Sequence, residues 1–338
     1  MLSSSNVSSG GAVEEKQCIV NNQMDPFIVL YILILIVGLP GNLLSVWAFI
    51  QSHRTRSTGV YLLNLLMANI LLLLALPFKV LKDLGAAPWT LMVFHCQASA
   101  VTIYISLYAS IAFLTFIIVD CYLQDRHTVR SLRLQERGFA WLLSVVVWML
   151  LLLIMVPNMA LPTKPVQVRC TSLKEKIGLH WHTLTIFLCT ALFLNASAAV
   201  LVSSGLALRR LLRSRSDLKL WEGNRQVMWS VVAMALAYML SFIPYHVVRT
   251  PYTLAQTKVI TDCQTKKQLF LGKESTLLLS VLHVCFDPLL FFHLNAPFRR
   301  IIRKFLSCSR KQTAGDAEEE FVEETMLQRT DKQQDPAA

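Results

Sequence analysis

Apolar residues gather in seven stretches, roughly 27–51, 60–83, 92–123, 138–161, 181–210, 226–256 and 273–294, with short polar segments between them. Each stretch is long enough to cross a bilayer as a helix, which takes about 20 residues. A backbone in hydrocarbon has to satisfy its own hydrogen bonds, so these stretches predict helices. The expected fold is all-α, a seven-transmembrane helix bundle over 26–296 with a short interfacial C-terminal helix. A polar tail, 1–25, precedes the bundle; the amphipathic interfacial helix, 297–309, and a disordered acidic tail, 310–338, follow it. Nothing marks a separate soluble domain or a 20–50-residue repeat.

Polar residues inside the apolar runs are the next signal. The stretch Ser241-Phe242-Ile243-Pro244-Tyr245-His246-Val247-Val248-Arg249 holds a proline that should kink its helix. His246 and Arg249 are three apart and so share a face. Ionisable groups at membrane depth cost several kcal/mol unless they meet a partner or a water-filled cavity. They therefore predict a polar cavity on the outer half of helix 6, with snorkelling to the interface as the plainer alternative. Asn42 in helix 1 needs a buried partner. Asn64 and Asn69 in helix 2 fall on different faces, and Asn69 is expected to be the one facing the bundle.

Composition supports a membrane protein. Of 338 residues 54% are hydrophobic and 16% charged, and the mean hydropathy is +0.49, too apolar for a soluble domain of this size. Lys and Arg concentrate in 51–58, 125–137, 209–225 and 299–311, which puts the C-terminus in the cytoplasm and the N-terminus outside. No basic segment followed by an apolar one opens the chain, so helix 1 is expected to act as the signal anchor. Asn6-Val7-Ser8 is a candidate glycosylation site in the Ser- and Asn-rich tail. The net charge is +11, and the outer segments, including 79–91, stay basic. That suits an anionic ligand or, equally, ordinary loop solubility.

Four cysteines, Cys18, Cys96, Cys170 and Cys263, fall in outer segments, where disulfides persist. Four allow three connectivities, and spacing does not choose among them. Cys121, Cys189 and Cys285 lie within helices and read as small buried hydrophobes. Arg299, Arg300, Arg303 and Lys304 form the polar face of the interfacial helix, and Cys308 after it is a candidate palmitoylation site in contact with membrane lipids. No nucleophile, base and orienting group cluster as an enzyme requires. No paired broken helices suggest a transporter. Neither a cofactor, a metal nor a nucleic acid is called for.

Several motifs together resemble a rhodopsin-like G-protein-coupled receptor over about residues 25–308. They are Cys96 at the start of helix 3, Trp148 in helix 4, Pro244 in helix 6 and Asp287-Pro288 in helix 7. His246-Val247-Val248-Arg249 is similar to the His-x-x-Arg of purinergic nucleotide receptors, and Lys273-Glu274-Ser275-Thr276-Leu277 looks like the Lys-Glu-x-x-Leu of their ADP-receptor branch. Val156-Pro157-Asn158-Met159, Trp181-His182 and Phe193-Leu194-Asn195 also fit. The resemblance implies a plasma-membrane receptor for an extracellular ligand (nucleotide, acidic lipid or peptide), coupled to a heterotrimeric G protein of the inhibitory class and to arrestin. It implies disulfides Cys96–Cys170 and Cys18–Cys263. It places Tyr104 and Tyr108 at the floor of a ligand pocket, with Asn158, His182 and Cys189 on the wall. His246, Arg249 and Lys273 would ring the mouth and bind an anion. Lys273 could instead form a helix-start pair with Glu274.

The resemblance also assigns Asn69, Asp120, Cys121, Tyr122, Phe242, Asp287 and Phe291 to activation and G-protein coupling, and three of these depart from the family. Asn69 replaces an acidic residue, Cys121 replaces the Arg of Asp-Arg-Tyr, and Phe291 replaces the Tyr of Asp-Pro-x-x-Tyr. A thiol can neither pair with Asp120 nor meet a G protein as Arg does, and Arg126 is five positions away. The alternative function is therefore a ligand-binding seven-helix interaction protein that couples weakly. With Asn69 neutral, the family's sodium site lacks one negative charge, and only Ser110 and Asp287 remain as ligands. His283, four residues before Asp287, would when protonated supply a positive charge there instead, or as a neutral imidazole make an ordinary hydrogen bond.

Overall fold

Each apolar stretch forms a helix, and polar side chains set where the helices touch. The computed structural model describes residues 24–51, 57–124, 135–160, 176–213, 221–256, 262–294 and 299–300. Helix α1 is Asp25–Ile50 and α2 is Ser57–Asp83. Helix α3 is Trp89–Gln124, with one wide π turn at His95–Ser99, and α4 is Arg137–Ala160. Helix α5 is Lys176–Arg213 and α6 is Trp221–Gln256. Helix α7 comes in two pieces, Cys263–Val281 and His283–Leu294, divided at Leu282. Seven helices are thus long and apolar enough to cross a membrane, and the described residues contain no strand.

The bundle has two inner helices. Helices α2 and α3 bury 72% and 78% of their most apolar segments, against 22% for α4 and 28% for α1. The outer helices turn Ile36, Val37, Met149, Leu153, Phe187 and Leu240 outwards, a surface that suits lipid and would be unstable in water. Proline and polar residues recur where helices meet. Pro288 has no N–H, so the Val284 carbonyl loses its donor within α7. Asn42 Nδ2 of α1 supplies one at 3.0 Å while also donating to Gly38 O at 2.8 Å. Small residues let these helices approach. A Cβ on Gly41 would sit 3.0 Å from Pro288, and one on Gly38 would sit 3.2 Å from Val284.

Three expectations are corrected. Helix α7 begins at Cys263 rather than at 273. Asp262 caps it, accepting from the Thr265 backbone N–H at 2.7 Å and its hydroxyl at 2.6 Å. A hydropathy pattern ends where the chain leaves lipid, but a capped helix runs on into water. Second, α1 already includes Asp25, which had been placed in the tail. Third, Asn64 faces the bundle as Asn69 does. Asn64 donates to Val60 O at 2.8 Å and Ser144 Oγ at 3.1 Å, and accepts from Trp148 Nε1 at 2.8 Å. Helix α2 is enclosed on both sides, so both of its asparagine faces are interior. Pro244 lies within continuous helix. Asn6, Cys18, Cys170, Cys308, the tail 310–338 and all of the interfacial helix except Arg299 and Arg300 lie outside the described residues.

Replacing Asn42 with Ala should leave the Val284 carbonyl unpaired in a low-dielectric interior, a loss of about 1–3 kcal/mol. The expected result is a thermal unfolding midpoint several degrees lower for the detergent-solubilised protein. An unchanged midpoint would show that this contact is not stabilising.

Candidate functional site

Two clusters of charged and aromatic side chains lie near the end of the bundle where α2 and α6 finish and α3 and α7 begin, here termed the upper end. The first is built around Arg249. This side chain is only 7% exposed, yet it meets no carboxylate among the described residues. Its guanidinium carbon lies 4.2 Å from the centre of the Tyr104 ring and 5.3 Å from that of Tyr245. The rings offer a cation–π attraction of about 2 kcal/mol when desolvated, less than the desolvation of a buried guanidinium costs. Arg249 Nε has no hydrogen-bond partner among the described residues.

His246 lies one turn below. Its ring is stacked on Phe193 at 3.7 Å and lies edge to face with Tyr108 and Tyr245. Nδ1–H donates to Phe242 O at 2.9 Å, and Nε2 pairs with the Tyr108 hydroxyl at 3.1 Å. Both ring nitrogens are therefore engaged, and His246 ties α6 to α3 rather than presenting an open donor. Asn158 Nδ2 donates to Thr185 Oγ1 at 3.0 Å, joining α4 to α5. His182 is half-buried close by, and Cys189 is a buried free thiol. The structure thus brings Tyr104, Tyr108, His246 and Arg249 together and gives Asn158 a separate partner.

Of the second cluster, the sequence suggests only the Lys273–Glu274 pair. Lys79 Nζ bonds Asp83 Oδ2 at 2.9 Å and Glu274 Oε2 at 3.0 Å. Lys82 Nζ meets the other oxygen of Asp83 at 2.7 Å, and Lys273 bonds Glu274 Oε1. The result is an alternating chain of five charges, Lys82–Asp83–Lys79–Glu274–Lys273, joining α2 to α7. The Tyr31 ring covers Lys79 at 5.0 Å. By hydropathy Lys79 and Lys82 count as loop charges, because the apolar run ends near them, yet the i,i+4 spacing of Lys79 to Asp83 at the end of a helix signals the pair. Lys273 is not at a helix start, since α7 begins at Cys263, and Glu274 turns towards it. A Cβ on Gly272 would lie 3.2 Å from Val248, so α6 and α7 meet beside Arg249 and Lys273.

The opposite end carries Asp120, Cys121 and Tyr122. Asp120 is buried without a cation among the described residues and is held by neutral donors instead. Ser57 Oγ donates to Oδ1 at 2.8 Å, and Thr58 Oγ1 and Gln124 Nε2 donate to Oδ2 at 2.5 and 3.2 Å. Cys121 is a free thiol, 4% exposed. The Arg210 guanidinium of α5 lies 5.5 Å over the Tyr122 ring.

Between the two ends, Asn69 Nδ2 donates to Asp287 Oδ2 at 2.8 Å and Asn42 Oδ1 at 3.2 Å. His283 Nδ1 donates to Ser280 O, and its Nε2 is 3.9 Å from Asp287 Oδ2. Phe242 and Phe291 are fully packed beside this layer. The group has one carboxylate, and an amide N–H occupies one of its oxygens, while Asn69 Oδ1 and Ser110 Oγ are buried with no hydrogen-bond partner among the described residues. Among the described residues no cluster of three or more His, Cys, Asp or Glu could hold a metal. Cys96 is disulfide-bonded, and its partner is none of Cys121, Cys189 and Cys285.

Residues 41–291 match the 7 transmembrane receptor (rhodopsin family). The chain is 44% identical over 306 residues to G-protein coupled receptor 171 from Homo sapiens, an alignment covering 89% of this chain and 95% of that protein. It is 33% identical over 306 residues to purinoceptor 14 from Bos taurus, covering 89% and 91%. It is also 33% identical over 300 residues to purinoceptor 13 from Homo sapiens, covering 86% and 84%.

Replacing both Ser57 and Thr58 with Ala should strip Asp120 of both its hydroxyl donors and cost about 1–3 kcal/mol per lost bond. A clearly lowered unfolding midpoint is expected for the double variant, with Thr58→Ser behaving as wild type. Equal midpoints for all three proteins would contradict this account of how Asp120 is held.

Proposed function

The chain belongs to the rhodopsin family of seven-transmembrane receptors, and on that premise we propose that it binds an extracellular ligand through an anionic group seated on Arg249. It is a G-protein-coupled receptor and a multi-pass plasma-membrane protein, not an enzyme. In this reading the N-terminus and the upper end face outward, as the distribution of Lys and Arg favours. One observation carries the ligand assignment: a buried guanidinium with no carboxylate partner among the described residues, laid on the Tyr104 ring. A cation left so is costly, and an entering anion removes the cost while the planar fork of Arg offers it two parallel bonds. A nucleotide, an acidic lipid and a peptide all bring such a group. The intracellular partners in this reading are a heterotrimeric G protein of the inhibitory class and arrestin.

A second reading rests on the lower end. With Cys121 buried and Asp120 already satisfied by hydroxyls, the protein binds its ligand but couples weakly. Cyclic-AMP inhibition and arrestin recruitment, measured side by side on wild type and Cys121→Arg, separate the two. A wild type that already signals, with little change in the variant, supports ordinary coupling. A silent wild type awakened by the variant supports the second reading.

Arg249→Ala should weaken activation by a validated ligand tenfold or more, since a charge-assisted hydrogen bond is worth about 1.5–3 kcal/mol. A response equal to wild type would remove the assignment. We also propose the disulfides Cys96–Cys170 and Cys18–Cys263, each contributing about 2–4 kcal/mol. Non-reducing peptide mapping should recover both linked pairs; a free Cys18 would exclude the second.

A further inference from the structure

Asn195 lies midway along the apolar span of α5, His180–Leu212, on its exposed face. Asn42, Asn64 and Asn69, by contrast, are buried between helices. Asn195 Nδ2 donates one hydrogen to Ala191 O at 2.8 Å, one turn back on the same helix. Its second N–H and its Oδ1 have no partner among the described residues, and hydrocarbon offers none. We infer that they find one on a second copy of this chain, and that α5 is the seam of a two-fold dimer in the membrane.

The surroundings of Asn195 repeat as such a seam requires. Leu188, Ala191, Asn195, Ala198, Val202 and Gly205 are all exposed and follow one another in steps of three and four. That is the seven-residue repeat that keeps one face of a helix against a partner. Asn195 shares its place in the repeat with Leu188 and Val202, while the alternate place holds only Ala191, Ala198 and Gly205. Small residues there let two backbones approach closely enough for side chains to hydrogen-bond across the pair. Gly205 has no packing role inside its own bundle, since a Cβ there would meet nothing within 4 Å. Glycine weakens a helix interior, so its place answers to a neighbour rather than to the fold of one chain.

The choice of partner follows from orientation and from the amide. Every copy enters the membrane the same way round, so two copies meet about an axis along the bilayer normal with their α5 helices parallel. Equivalent residues then face each other, and Asn195 meets its own counterpart. An amide is both donor and acceptor, so the pair is complementary to itself, and a lone Asn in a heptad seam fixes register in this way. The seam does not include Arg249 and is independent of the ligand assignment.

The test uses the purified full-length protein in phosphatidylcholine vesicles. Donor-labelled and acceptor-labelled copies are mixed, and energy transfer is read against the protein-to-lipid ratio. Wild type should show transfer that unlabelled protein competes away. Asn195→Leu should need about fivefold or more protein per lipid to reach the same transfer, the equivalent of losing one interhelical hydrogen bond. Asn195→Gln, which keeps the amide, should retain the dimer. Gly205→Leu should weaken it independently by holding the backbones apart, and if Asn195→Leu does not fold, this variant decides alone. With copper phenanthroline as oxidant, Ala198→Cys should give a disulfide-linked dimer above the wild-type background, and Leu153→Cys, on the exposed face of α4, should not. No transfer at any ratio would overturn the proposal, as would transfer that both Asn195→Leu and Gly205→Leu leave unchanged. Equal cross-linking from Ala198→Cys and Leu153→Cys would show unspecific crowding and overturn it too.

Discussion

A polar group surrounded by hydrocarbon has no water to fall back on, and the helices of this receptor are joined where that need is met. The Val284 carbonyl left bare by Pro288 draws in Asn42, and so docks α1 on α7. Asn64 accepts from the indole N–H of Trp148 and donates to the hydroxyl oxygen of Ser144, and so docks α4 on α2. Asp120 gathers Ser57 and Thr58, closing the foot of α3 on α2. Between helices the hydrophobic effect is weak in lipid, because side chains and acyl chains are alike. Hydrogen bonds, ion pairs and close packing at glycine therefore choose the partners, and the apolar residues are left to face outwards.

Helix α7 takes part in several of these arrangements. Its first piece, Cys263–Val281, holds Glu274 and Lys273 against α2. Ser280 Oγ donates to Ser241 O of α6 at 2.7 Å, just below the turn that carries Pro244. The piece after the break at Leu282 carries Asp287 to Asn69. In the proposed binding mode, a ligand held by Arg249 would act on a helix whose backbone is already bonded to α7, and α7 is divided between the ion chain and the Asn69 layer. These packed and hydrogen-bonded groups are contiguous from the upper end to the middle of the bundle.

Both ends deal with charge in their own way. In the two upper clusters carboxylates and ammoniums alternate until, among the described residues, only one guanidinium is left without a counter-charge. At the lower end the carboxylate of Asp120 is balanced by neutral hydroxyls and an amide, an arrangement compatible with the thiol at Cys121. Substituting Cys for Arg has thus not left a buried Asp without donors.

The pattern of apolar residues was enough to determine seven helices, and motifs such as His246-x-x-Arg249 and Asp287-Pro288 pointed to the receptor family, because length, periodicity and local chemistry are properties of a single segment. Boundaries in water were not legible in that way. Asp262 caps a helix that no hydropathy signal marks, and α7 starts well before its apolar run. Pairing was not legible either. Lys79 and Glu274 are far apart in the sequence and become one ion pair only when α2 and α7 lie side by side. Asn64 became interior because α4 covers it, and the second nitrogen of His246 was committed only when Tyr108 of α3 came within reach. Which cation stays free depends on which carboxylates reach the others. That is a question of distance between helices, and only the tertiary structure decides it.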